Sequence, residues 1–143
     1  LNLADLYRAR GLEQKAMEML MRARASHPDS AMAHHVLGLA QIRSKQTVKA
    51  LSSLQQALQL APDNSRYAYV YALALNSQDR TLEALEILTQ ALNPQQPDRD
   101  LLFSLATMNR DLGRYQQARD FANKLVVAFP QDSAALRLRD SLK

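Results

Sequence analysis

The chain has 143 residues, 47% of them hydrophobic and 22% charged, with three Gly and five Pro, a composition that folds and leaves little room for disorder. With no cysteine there is no disulfide, thiolate metal site or cysteine nucleophile. The net charge is +4 and its positive residues are scattered, which gives nucleic-acid binding no support, and no run of about 18 apolar residues marks a membrane span.

Leu3, Leu6, Tyr7 and Arg10 follow a helical spacing up to Gly11, and Leu12, Ala16, Met19, Leu20 and Ala23 begin a second helix at once. The helical pattern is already under way at the first residue, and residues 1–5 are too short and too polar for a signal peptide. The expectation is a piece of a longer protein whose targeting signals lie elsewhere. His27-Pro28-Asp29-Ser30 closes this unit, because proline cannot continue a helix and Asp or Ser can accept from the free amides of the next one.

Residues 31–44 carry apolar side chains on more than one side (Val36, Leu37, Leu39, Ala40, Ile42), as a helix sandwiched between two others should. Residues 47–60 supply its partner, and Ala61-Pro62-Asp63-Asn64 repeats the stop-and-cap chemistry. In residues 65–76 the run Tyr67-Ala68-Tyr69-Val70-Tyr71 has strand propensity, yet its register matches residues 33–37, and we read it as helix. Residues 81–92 form the second helix of that unit, cut short by Asn93-Pro94 in the most irregular joint of the chain. Residues 99–112 and 115–129 make a fourth pair, with Gly113 at the turn where a positive φ is easily taken up. Pro130-Gln131-Asp132-Ser133 introduces a last helix over residues 134–142.

Ala16, Ala50, Ala84 and Ala118 recur every 34 residues, and the helix stops recur in phase with them. Two helices of a hairpin approach to about 8–10 Å only where the crossing carries tiny side chains, the role expected of Ala4, Gly38, Ala72 and Ala106 against those four alanines. The second copy reads Leu37-Gly38, Ala50, Leu54, Ala57 and Pro62, with His34 and Gln41 at two positions usually aromatic. The first reads Leu3-Ala4, Tyr7, Ala16, Leu20, Ala23 and Pro28. The third keeps Tyr71-Ala72, Ala84, Leu88 and Ala91 but has Gln96 for the proline. The fourth has Leu105-Ala106, Gly113, Tyr115, Ala118 and Pro130, with Ala122 and Leu125 exchanging the usual large and small residues. This pattern resembles the tetratricopeptide repeat family. The resemblance implies an all-α solenoid of stacked antiparallel helical hairpins. Its units are residues 1–28 with a truncated first helix, 29–62, 63–97 and 98–132, followed by a capping helix or partial fifth repeat over 133–143. A weaker resemblance joins residues 63–72 and Ala33-His34-His35 to repeat arrays attached to bacterial multi-haem c-type cytochromes. No Cys-x-x-Cys-His occurs, so any haem would belong to another part of the parent protein.

The family resemblance implies that first helices line the inside of a superhelix and hold an extended peptide. The stripe expected here comprises His35, Leu39, Ile42 and Arg43 from the second unit, and Arg66, Tyr69, Leu73 and Asn76 from the third. The fourth adds Asp100, Phe103, Thr107 and Arg110, and the first Asn2, Asp5 and Arg8. His35, Tyr69 and Phe103 hold equivalent positions 34 residues apart, and Arg8, Arg43, Arg66 and Arg110 flank them as partners for carboxylates. The competing reading is that these rings only pack the seams between repeats. The Lys/Asn/Asn/Lys/Arg clamp of the chaperone-tail subclass is absent: its positions hold His35, Leu39, Val70, Asp100 and Ser104, or in the other frame Leu1, Asp5, Val36, Arg66 and Val70.

Adjacent helical side chains diverge by about 100°, so His34 and His35 cannot grip one metal ion together, and His27 lies in a loop. There is no paired-carboxylate site, phosphate loop or nucleophile-base arrangement. The expected function is a non-catalytic scaffold, without metal or cofactor, that binds a protein or peptide segment, not nucleic acid, and does not insert in a membrane. The alternative is a structural module that self-associates into a homo-oligomer through its end helices. Bacterial cytoplasm and periplasm are both compatible.

Overall fold

The computed structural model describes residues 3–143, save the side chains of Tyr7 and Arg8. Its helices are α1 (Leu3–Ala9), α2 (Glu13–Ser26), α3 (Ala31–Arg43), α4 (Thr47–Leu60), α5 (Ser65–Asn76), α6 (Thr81–Ala91), α7 (Arg99–Asp111), α8 (Tyr115–Ala128) and α9 (Ser133–Ser141). The tyrosine-rich run lies inside α5, so register prevails over local propensity. The described residues fall into two compact units, divided after Ala74 within α5.

The punctuation that the sequence places every 34 residues has a physical form at each site. Side chains cap α3, α5, α7 and α9: Ser30 Oγ accepts from Ala33 N–H (3.1 Å), and Asn64 Oδ1 from Tyr67 N–H (3.1 Å). Asp98 Oδ1 accepts from the N–H groups of Asp100 and Leu101 (2.9 and 3.1 Å), and Asp132 Oδ1 from Ala135 N–H (3.1 Å). Each stands one 34-residue period from the last and satisfies amides that the helix itself leaves unpaired.

The turns inside the hairpins use the backbone instead. Gln46 N–H donates to the Gln41 carbonyl (2.8 Å), Arg80 N–H to Leu75 (3.1 Å) and Arg114 N–H to Asn109 (2.8 Å), closing the ends of α3, α5 and α7. This geometry needs one residue with positive φ. Gly11 and Gly113 supply it at +73°, as expected for Gly113, but Lys45 (58°) and Asp79 (60°) occupy the same place in the two middle turns.

In unit 1, Ala4, Ala16, Leu20, Leu37 and Ala40 form one core, with Met17 and Val36 against it. At the α3–α4 crossing Gly38, Ala50 and Leu54 are buried, and a Cβ on Gly38 would stand 2.7 Å from Leu54 Cγ and Cδ2. The small residue is therefore a steric requirement. In unit 2, Leu102, Ala106, Ala118, Ala122, Leu125, Ala135, Leu138 and Leu142 make the core. Ala122 and Leu125 exchange size, yet both are fully buried there, since the swap conserves the volume of the pair.

Helix α6 has 11 residues where α2, α4 and α8 have 14. Pro94 stands at the position that ends α4 and α8, and the chain leaves the helix at Leu92 in an extended conformation (φ −71°, ψ 122°). Beside this early end lies an apolar cavity of about 500 Å³, lined by Leu92, Pro94, Pro97, Leu102 and Val127 with Lys124 among them.

Candidate functional site

In unit 1 the expected stripe falls on α3 and the first part of α5. His35 is only 9% exposed, and its ring stacks on Tyr67 with centroids 4.4 Å apart and planes inclined by 28°. Its Nδ1 is buried without a hydrogen bond among the described residues. Burial, reinforced by the nearby Arg66 charge, pushes its pKa below the ordinary value. Leu39 is half-buried, while Ile42, Arg43 and Leu73 are exposed. Tyr69 is half-buried, and the Arg66 guanidinium lies 5.2 Å from its ring centroid. At that distance the ring face attracts the cation, so Arg66 and Tyr69 form one amphipathic surface.

Unit 2 repeats this arrangement with other residues. Phe103 is half-buried against the core cluster, and the Arg99 guanidinium lies 5.2 Å from its centroid. Arg99 also holds Asp132, the residue that caps α9, and Asp100 (3.3 Å). Asn76 Oδ1 accepts from Thr81 Oγ1 (2.7 Å), tying the end of α5 to the start of α6. Thr107 Oγ1 donates to the Phe103 carbonyl (3.0 Å), and Arg110 pairs with Asp111 (2.9 Å). Asn76 and Thr107 thus spend these groups on local contacts. Asn2 and the Arg8 side chain lie outside the described residues. Arg99 and Tyr67 were not expected at the site. The spacing of four between Arg99 and Phe103, and of three between Arg66 and Tyr69, was the available signal.

His34, between the helices of unit 1, has Nε2 2.9 Å from the Pro28 carbonyl oxygen. Among the described residues no group of three His, Asp or Glu side chains stands where it could hold a metal ion, and no helix is long and apolar enough to cross a membrane.

Two models of the tetratricopeptide repeat match the chain, one over residues 41–108 and the other over residues 1–65 and 95–133. The chain belongs to the tetratricopeptide repeat family. No curated protein matches this tetratricopeptide chain in sequence. Its all-α solenoid fold is that of MamA, with a TM-score of 0.84 at 18% identity over 99% of this chain and 83% of that one. Pseudomonas aeruginosa pilF gives 0.80 at 23% identity over 98% of this chain and 64% of the other. YrrB, described as a tetratricopeptide protein with an unusual peptide-binding site, gives 0.76 at 18% identity over 97% and 72%.

Proposed function

We propose that this chain is a non-catalytic protein-interaction scaffold, which takes a peptide or partner segment on the exposed faces of its first helices. One observation carries the reading: Tyr69 and Phe103 are half-exposed rings, each with a guanidinium 5.2 Å from its centroid. Such surfaces offer flat apolar contact at low entropic cost with a guanidinium alongside, the composition of interface hot spots. Leu73 and Ile42 extend the surface in unit 1. His35 is buried against Tyr67 and is not proposed as a contact. YrrB lends the reading a precedent on the same fold.

End-to-end self-association draws less support, because Ala135, Leu138 and Leu142 are already spent in the unit 2 core. The test is partner capture from the native host by the wild-type chain and by a Tyr69→Ala/Phe103→Leu double variant. Leucine keeps most of the volume packed on the core while removing the ring. Each lost ring should weaken a captured partner by about 1–2 kcal/mol, with helicity by circular dichroism unchanged. Equal capture by both proteins would reject the assignment.

A further inference from the structure

Residues of α2, α3 and α4 line two adjoining cavities in unit 1, of about 430 and 260 Å³, which share Arg24, Ser52 and Ser53. His34 and Gln56 complete the polar wall of the larger one, and Gln41, Gln46 and Lys49 that of the smaller. The chemistry is one-sided. No Asp or Glu lines either cavity, and Arg24 and Lys49 make no ion pair or hydrogen bond with another described residue. Ser53 Oγ donates to Gln41 Oε1 (2.7 Å), so the acceptor end of that amide is used while its nitrogen keeps a donor without a protein partner. Gln41 is only 6% exposed and lines the smaller cavity, where an acceptor would find that N–H within reach.

The repeat supplies a control. Two periods on, the cavity in unit 2 has Asn109 and Phe121 at the positions of Gln41 and Ser53, and its wall carries Glu86 to balance its one cation, Arg114. The counterparts of Arg24, Lys49 and Ser52 are Leu92, Gln117 and Asp120. The scaffold therefore does not impose the cationic lining; this sequence does. The net charge has the same bias: residues 1–74 hold nine Lys and Arg against five Asp and Glu, and residues 75–143 hold nine of each.

We propose that this cleft is a second docking site, separate from the Tyr69 and Phe103 faces, for an acidic peptide segment. Asp or Glu carboxylates of that segment accept from Arg24, Lys49 and the Gln41 amide. Two isolated cations among amides and hydroxyls suit carboxylates on a peptide. A nucleic-acid backbone would require a continuous basic track.

The test uses a short fluorescein-labelled peptide of alternating Glu and Ala, with a Gln/Ala peptide and inorganic phosphate as comparison ligands. Binding of the Glu peptide should weaken about tenfold or more in Arg24→Gln/Lys49→Gln and remain as wild type in Arg22→Gln, an exposed cation that lines neither cavity. Lys49→Glu changes an exposed side chain, and its loss of binding reads the charge with the fold intact. Amide chemical shifts in the wild type should move at Gln41, Ser52 and Ser53. Undiminished binding in these charge variants overturns the proposal. So do shifts spread over the exposed cations of unit 1, or an equal response to the Gln peptide or to inorganic phosphate.

Discussion

Replacing Gly38 with alanine pits two known effects against each other at one atom. Alanine is favoured over glycine inside a helix by about 1 kcal/mol, so an exposed site would gain stability. Here the added methyl would stand 2.7 Å from two carbons of Leu54 and 3.4 Å from the Ala50 carbonyl oxygen. Leu54 and Ala50 are both fully buried, so neither can swing into solvent and the α3–α4 pair must widen. Overpacking of this kind costs about 1–3 kcal/mol, which leaves a net loss of about 1 kcal/mol. For a chain of this size that lowers Tm by about 4 °C, and urea unfolding measures the same loss at fixed temperature. Leu54→Ala alone opens a cavity and costs about 2–5 kcal/mol. In the double variant the clash is gone, so Gly38→Ala should become neutral or stabilising, with a favourable coupling of about 1–2 kcal/mol. A stabilised Gly38→Ala single variant, or simple additivity, would refute the close crossing.

The turns and two titrating side chains carry further outcomes. Lys45 and Asp79 hold left-handed conformations that glycine adopts without strain, so Lys45→Gly and Asp79→Gly should each raise stability by about 0.5–1 kcal/mol. Gly113→Ala should lower it by about 1 kcal/mol in the same urea series. His35 folds neutral, held below its ordinary pKa of 6.5 by burial and Arg66, so the unfolded chain takes up that proton first. Stability should be full above 6.5 and decline as pH falls toward the lowered folded value, and His35→Gln should flatten the decline in pH-resolved melts. Hydrogen bonds from Arg99 and from Ala135 N–H hold the Asp132 carboxyl below its ordinary 3.8, so its contribution is present above that pH and lost below it. Asp132→Ala should therefore speed amide exchange in α9 at neutral pH, where the wild type stays protected.

The helices were legible because a single pattern was read several times over. A lone Ser30 or Asp98 is an ambiguous cap, but residues of that type at the same phase, each followed by a helical apolar spacing, are not. Gly113 announced its own conformation; Lys45 and Asp79 did not, since nothing in a lysine or an aspartate signals a positive φ. Their register with Gly11 held that information. The site was less legible for a related reason. Helical spacing tells which side of a helix a residue takes but not what faces it, and so it placed His35 on an open stripe when Tyr67 covers it. Nor does spacing report rotamers, which turn Thr107 onto its own helix and Asn76 onto Thr81. The α2–α4 cleft was out of reach, because three helices must be assembled before Arg24, Gln41 and Lys49 share a wall.

What a repeat holds fixed is backbone conformation and buried volume, and both can be satisfied by more than one residue. The hairpin turn takes the same positive φ with Gly, Lys or Asp, and the fourth hairpin accepts Ala122 with Leu125 in the reverse order of size. Side chains that satisfy neither demand are released from the period, as two positions on the second helices illustrate. There Ser53 of α4 becomes Phe121 of α8, and Ser52 becomes Asp120. Phe121 packs against the unit 2 core, whereas Ser53 spends its hydroxyl on Gln41 and leaves space above it. One period thus yields a cavity walled by Phe121 and Glu86 in one unit and a cleft rich in hydrogen-bond donors in the other. The cleft follows from such departures from the repeat, since the small residues that obey it, Ala50 and Ala118 among them, are buried in holding the helices together.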